Sequence, residues 1–286
     1  MRNPFRAFGG LAKDIWTSKK LIFALAWNDI KKRYAGSFAG ILWAYIVPLV
    51  NILVMWFVFQ YGFKSTAISE SHGSVPFICW MVPGYIIWSF MNDTLIQSTG
   101  VLSEYSYLVK KVQFKTDILA PIKVVSSLFV HAFFLVFAVV IFCIFGFYPG
   151  WVWFQILYYL LGAILLMLGL AWLCSSVAVF LKDMPQIVTV ILQIGFWATP
   201  IFWDLETIIG VENPSMKRQV FYVIFKCNPF YYLVNGYRMT MLEQVPFWAH
   251  NDAYWQIPYF WGFTILTSLL GAGVYLKTRK HYADVL

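Results

Sequence analysis

The fold predicted is all-α: a polytopic membrane protein with six transmembrane helices, an N-terminal amphipathic interface helix and a re-entrant extracytoplasmic region before the last span. Three observations predict it. Hydrophobic residues make up 60% of the 286 positions and charged ones only 12%, with a mean hydropathy of +0.68, far more apolar surface than one soluble core hides. Apolar runs of at least about 17 residues recur along the chain, each long enough to cross a bilayer. Finally, the cationic cluster Lys31-Lys32-Arg33 passes almost directly into such a run, and a Lys or Arg at the bilayer centre costs roughly 2.5–3.5 kcal/mol.

Residues 1–36 form a cytoplasmic segment. Within it Phe23, Trp27, Ile30 and Tyr34 recur at helical spacing, with Lys19, Lys20, Asp29, Lys32 and Arg33 around them. That pattern describes a helix lying in the membrane interface. It serves either as a simple anchor or also as a docking surface for a soluble protein. The formal charge of +8 does not point to nucleic acid, because eight of the 21 Lys and Arg lie in this segment beside the first span. A juxtamembrane basic segment meets anionic lipid or a cytoplasmic partner.

Residues 37–286 carry the six expected spans, near Phe38 to Phe63, Phe77 to Ile96, Ile118 to Phe145, Trp151 to Val179, Ile187 to Trp203 and Ile257 to Tyr275. Helix is the expected form, since a lone span in lipid must satisfy its own backbone, whereas barrel strands alternate apolar with polar. Six spans put both termini on one side. The charges agree: 16 Lys and Arg fall on the proposed cytoplasmic side and five on the other, as positive-inside topology requires.

Two connections stand out. Ser103 to Asp117 links the second and third spans, with Tyr107, Leu108 and Val112 on an apolar side and Lys110, Lys111 and Lys115 on a basic one. It reads as a short helix able to transmit force from a partner, or as a solvated linker. Residues 204–256 hold two apolar pieces, Val220 to Phe225 and Phe230 to Leu242, interrupted by Lys226, Asn228-Pro229 and Arg238. Neither crosses alone; a re-entrant pair in the outer leaflet fits, with an amphipathic loop as the alternative.

Motifs for catalysis are scarce. Gly62-Phe63-Lys64-Ser65 lacks the first glycine and the Gly-Lys pair of a phosphate loop, so the chain carries no P-loop ATPase of its own. Cys79, Cys143, Cys174 and Cys227 show no metal spacing and read as small buried hydrophobes. His131 inside a span marks either a polar cavity or a helix-packing hydrogen bond, and Asp93 is equally open. Aromatic residues reach 20%. Most belong to interface belts and packing, but flat rings with polar edges also suit passing sugars. Tyr85, Trp88 and Phe90 on the second span, and Phe196, Trp197, Phe202 and Trp203 on the fifth, are the candidate lining of a substrate path.

Several stretches carry a family likeness. They are Arg33-Tyr34-Ala35-Gly36 through Leu42-Trp43-Ala44 to Pro48-Leu49; Phe114-Lys115-Thr116-Asp117-Ile118-Leu119; Leu181-Lys182-Asp183 leading to Thr199-Pro200-Ile201-Phe202; Asn228-Pro229-Phe230 through Gly236-Tyr237-Arg238; and the tail His281-Tyr282-Ala283-Asp284-Val285-Leu286. In this order, over nearly the whole chain, they resemble the membrane permease of type-2 ABC exporters for bacterial surface polysaccharides. Tyr61-Gly62, Val75-Pro76-Phe77 with Trp80, and the Asn228 to Arg238 run are most similar to the teichoic-acid translocation permeases of Gram-positive bacteria. O-antigen exporters share much of the pattern.

The resemblance implies a homodimer of six-span subunits in the bacterial plasma membrane, each bound to a separate nucleotide-binding ATPase subunit that holds ATP and Mg. No cofactor is implied in this chain. It further implies that Trp27, Lys31 and Arg33 of the interface helix, with Tyr107, Lys110, Lys111, Phe114, Lys115 and Asp117 of the link, couple to that ATPase. A lipid-linked polysaccharide, wall teichoic acid first, would then cross outward; if it bears phosphates, Lys226 or Arg238 is available to guide it, with internal pairing of Arg238 to Glu243 or a backbone carbonyl as the equal alternative. The rival classes are a self-contained secondary transporter and a membrane transferase of lipid-linked sugars, which requires an acid, base or metal constellation.

Overall fold

The computed structural model describes residues 4–65, 67–69, 73–110, 114–205, 216–249 and 252–286. Helices dominate them. Two helices, α1 (Pro4–Thr17) and α2 (Lys19–Arg33), precede the first long apolar stretch. The chain turns sharply after the Lys31-Lys32-Arg33 cluster through Gly36 (φ +84°) and Gly40 (φ +53°), left-handed positions that glycine tolerates without steric cost. A 3₁₀ turn at Gly40–Leu42 then opens α3 (Trp43–Phe57), which ends in a π turn at Val58–Gly62. Beyond it, β1 (Ala67–Ser69) and β2 (Gly73–Val75) pair antiparallel, Ala67 opposite Val75.

The bundle continues with α4 (Phe77–Thr99), the short turns α5 (Val101–Glu104) and α6 (Ser106–Val109), α7 (Leu119–Ile144), α8 (Ile156–Phe180) and α9 (Met184–Ala198). It closes with α10 (Met216–Lys226), α11 (Pro229–Arg238), α12 (Ala253–Thr278) and α13 (Tyr282–Val285). Among the described residues four stretches are long and apolar enough to cross a membrane: Gly40–Gly62, Thr116–Ile144, Trp151–Phe180 and Ala253–Val285.

The other two expected spans differ from these four for separate reasons. At 23 residues α4 is about 34 Å long at 1.5 Å per residue, which matches a bilayer, but its last turns carry Asn92, Asp93, Thr94, Gln97, Ser98 and Thr99. It sits at the centre of the bundle, packed on α7, α8, α9 and α11, so protein buries Thr94, Ser98 and Thr99, while Asn92, Asp93 and Gln97 stay partly open. By contrast α9 has 15 residues, about 22 Å, because the chain leaves the helix at Thr199-Pro200.

The most extensive helix pairing joins α8 to α12. The backbones touch there: a side chain at Gly271 would collide with the Gly169 carbonyl, and one at Gly169 with the Ser268 backbone. Small residues of this kind allow the close approach on which membrane helix packing depends. One apolar core, including Ile87, Met91, Leu166, Met167, Leu233 and Tyr237, fills the middle of the bundle. A second joins Leu11, Ile22, Ala26, Tyr105, Ile118, Val179, Tyr275 and Tyr282. The N-terminal helices and the tail therefore share one end of the bundle, called the terminal end below.

Candidate functional site

The face of α2 that packs is rotated from the one its aromatic spacing suggests. Buried on α2 are Ile22, Ala26, Asp29 and Ile30, whereas Phe23 and Trp27 remain largely open and meet Phe129 edge-on at 4.9 and 5.5 Å. Asp29 sets this rotation. Its carboxylate accepts hydrogen bonds from Lys123 Nζ on α7 (2.5 Å), the Tyr105 hydroxyl between α5 and α6 (2.9 Å) and Ser126 Oγ on α7 (3.0 Å), with Arg33 at 3.6 Å. Lys123 also reaches Glu104 at 2.8 Å. This clasp ties the interface helix, the link and the third span together. Burial alone would raise the Asp29 carboxyl, but the Lys123 ammonium and the three hydrogen bonds outweigh it and hold the group below the ordinary carboxylate value. Burial, and after it the same carboxylate, push the Tyr105 phenol up.

The link is not the single amphipathic helix expected of Ser103 to Asp117. It breaks into α5 and α6 at Tyr105, and it buries Leu102, Tyr105 and Val109 while Tyr107 stands 54% exposed. Lys111 and Val112 lie outside the described residues. Among the expected coupling residues, Trp27, Lys31, Arg33, Tyr107, Lys110 and Lys115 are exposed and Phe114 is half-buried. Lys115 pairs with Asp14 on α1 at 2.7 Å, and Lys31 lies over the Trp27 ring. Asp117, in contrast, is buried and accepts from Arg279 of the tail at 3.2 Å. Arg33 bonds Gln97 and reaches Asp93 at 3.4 Å, and Asp93 also accepts from Ser127. These two are internal ties.

At the opposite end, the expected phosphate guides are engaged internally. Arg238 is 3% exposed and lies over the Trp80 ring at 3.8 Å. It donates to the carbonyls of Trp80 (3.3 Å), Pro200 (2.9 Å) and Ile201 (3.3 Å). Lys226 is buried too, donating to Asp252 and Tyr222. Neither cation is free to meet a polymer. Asn228 caps α11 by accepting from the Phe230 amide and donates to Thr199, with Pro229 at the first helical position, where its missing N–H costs nothing.

Between α4 and α9 runs an open groove of about 340 Å³. Tyr85, Trp88 and Phe196 form its aromatic wall, and Ser89, Asn92, Thr189 and Gln193 add hydroxyls and amides. Three of the seven expected path residues thus meet in one place. Trp197 and Phe202 pack beside Phe196, with ring centroids 5.3 and 5.2 Å away. Phe202 is buried against Phe59, Trp203 turns to Phe225, and Phe90 faces the other side of α4 against His131. These last three are packing residues and do not line the groove. The polar liners were legible as a pattern: Ser89 with Asn92, and Thr189 with Gln193, sit three and four apart on apolar helices, where lipid-facing polar groups are costly.

His131 answers to both readings: it lines a polar cavity between α3, α4 and α7, and it makes packing hydrogen bonds. Its Nδ1 lies 3.3 Å from the Ile86 carbonyl, which only accepts, so Nδ1 donates and Nε2 accepts from the Tyr237 hydroxyl at 3.0 Å. Among the described residues no cluster of three His, Cys, Asp or Glu is placed to hold a metal, and the four cysteines are free.

A profile of the ABC-2 type transporter family matches residues 20–242. The chain is 25% identical to the O-antigen export system permease protein RfbA of Myxococcus xanthus over 235 residues, 82% of this chain and 84% of that protein. It is 22% identical to a protein of the same name from Klebsiella pneumoniae over 270 residues, 93% of this chain and 95% of that one.

Proposed function

The chain belongs to the ABC-2 type transporter family, and from that membership we propose that it is the membrane permease subunit of an exporter of lipid-linked surface polysaccharide. The polymer crosses the bacterial plasma membrane outward, driven by ATP hydrolysed with Mg on a separate subunit. Two copies of the chain make the path, both termini are cytoplasmic, α4 and α9 complete six crossings, and α10 and α11 form the re-entrant pair. The names of the relatives support a polymer of O-antigen type ahead of teichoic acid.

The observation that carries this reading is the α4–α9 groove, with its aromatic wall and its uncharged polar margin. Rings give sugars flat apolar faces to slide on, and hydroxyls and amides exchange hydrogen bonds with sugar hydroxyls without the tight hold of a charge. Exposed Thr189 and Gln193 on α9 support a partner or polar path on that face instead of lipid. Residues 1–36 are the interface segment and 37–286 the transmembrane domain. The ATPase docks on exposed Trp27, Lys31, Tyr107, Lys110 and Lys115 together with Lys111 and Phe114. Its closure moves the link, and the Asp29–Lys123 clasp passes that displacement to α2 and α7.

Co-purification with the candidate ATPase, followed by hydrolysis assays with defined lipid-linked polysaccharide, tests the proposal. Complex formation and substrate-stimulated hydrolysis are expected. Transport by the isolated chain without nucleotide would favour a secondary transporter instead. Replacing Lys110, Lys111 and Phe114 together should weaken both association and export; unchanged values would remove the docking role.

A further inference from the structure

On the side of α4 away from the aromatic wall lies a second cavity, of about 190 Å³. It is walled by α3, α4 and α7, and Arg33 and Tyr34 close it at the terminal end. We infer that this cavity is a binding site for one neutral saccharide ring carried on a lipid anchor, on the other side of α4 from the α4–α9 groove, with which it shares Ser89 and Asn92. The inference rests on the export reading for the origin of such a ligand; the site itself is argued from its lining.

The charges in the cavity already answer one another. Arg33 lies 3.4 Å from Asp93 and 3.6 Å from Asp29, and Asp93 also accepts from Ser127. An entering ion, anionic or cationic, would have to break a pair to gain one. The groups left for a ligand are neutral. Ser89 and Asn92 are half-buried, line the cavity and make no side-chain hydrogen bond to any described residue, a costly condition at membrane depth unless a ligand or water meets them. The rings of Tyr34, Phe90 and Phe134 face the same space and offer flat apolar surfaces. Hydroxyl, amide and aromatic face together match a polyhydroxylated ring better than a phosphate or an ammonium.

Size and access agree. A water takes about 30 Å³ of liquid, so the space exceeds several waters, yet it is too small for a polymer segment. The α3 wall consists of Ala44, Val47 and Pro48, and Val47 is 49% exposed on the outer surface of the bundle. Pro48 removes a backbone donor inside α3. Leu53, Val54 and Phe57 of the same helix are open to the surroundings. A ring can therefore enter beside Val47 while its alkyl anchor stays in lipid along α3.

The test uses the full chain in lipid nanodiscs, with and without its ATPase partner. One probe is an alkyl glucoside with a photoreactive diazirine on the sugar; the other is an alkyl phosphocholine with the same diazirine. The glucoside should label peptides covering 43–48 and 127–134, which line the cavity and not the groove, and Val47→Trp at the cavity mouth or Val130→Trp on its α7 wall should abolish this. Gln193→Leu, which alters only the groove, should leave it unchanged. Asn92→Leu should raise the half-saturating concentration about fivefold or more, the effect of one lost hydrogen bond. Folding of each variant is checked by gel filtration and thermal melting, and the two tryptophan variants back each other up. Equal labelling by phosphocholine, no labelling, or labelling lost in Gln193→Leu but kept in both tryptophan variants would overturn the site. Loss of ATPase association in the unaltered chain would instead sink the export reading, and labelling at the cavity is independent of that result.

Discussion

The two ends of the bundle bury cations in different ways. At the terminal end, Lys123 meets the carboxylates of Asp29 and Glu104, and every partner comes from a different piece of the chain. At the far end, Arg238 spreads its guanidinium over the Trp80 ring and three backbone carbonyls. A pair of carboxylates on one ammonium joins α2, the link and α7 through side chains alone, so under the proposed docking the joined pieces shift as one when a partner pushes on the link. Carbonyls after α9 and in the first turn of α4 offer no such freedom. Their bonds with Arg238 hold α4, α11 and the Thr199–Ile201 bend in a fixed arrangement. Under the proposed docking of an ATPase on the link, the terminal end is the part that passes on displacement and the far end the part that resists it.

The largest expected effect breaks the terminal knot. Lys123→Met leaves Asp29 without its main counter-charge and should lower stability by roughly 3–5 kcal/mol, measured by denaturation in detergent; a loss under 1 kcal/mol would contradict the clasp. At the far end, Arg238→Ala strands three carbonyls and opens a void, and should cost roughly 2–4 kcal/mol. Its thermal midpoint should fall while ATPase association persists.

The double variant Asp29→Asn with Lys123→Met removes both charges and should recover part of the single-variant loss, leaving about 1–2 kcal/mol. Its stability should return further than its coupling: hydrolysis stimulated by substrate should stay weak, and full coupling would assign the clasp to stability alone.

Acid sharpens the contrast further. Because Asp29 is held below its ordinary value, its stabilisation is complete above the unfolded carboxylate pKa, about 3.9, and is lost as pH falls below that towards the folded value. The gap in melting temperature between the unaltered chain and Asp29→Asn should therefore be constant from pH 7 to 5 and close below pH 4. The smallest effect belongs to the exposed Lys115–Asp14 pair, 2.7 Å apart. Lys115→Ala should change stability by less than about 1 kcal/mol, so a short distance at the surface does not equal a buried knot.

Much of the architecture was written in local composition. The runs that became α3, α7, α8 and α12 are predominantly apolar, and lipid leaves such runs no alternative to helix. Asn228-Pro229 marked the start of α11 through local chemistry alone, an amide to cap and a ring that needs no donor. The aromatic candidates divided on the position of neighbours: Tyr85, Trp88 and Phe196 meet across α4 and α9, while Phe90 points to His131 and Phe202 to Phe59.

What the amino-acid order determined by itself is therefore the membrane class, the helical form and the concentration of positive charge at one end, since these depend on summed hydropathy and on nearest neighbours in the chain. Tertiary structure alone decided which face of α2 is buried, whether Arg238 is free, and which side of α4 meets a groove or a cavity. Each of those outcomes turns on one side chain finding a partner tens of residues away, as Asp29 finds Lys123, and the energy of that meeting has no signature until the helices are packed.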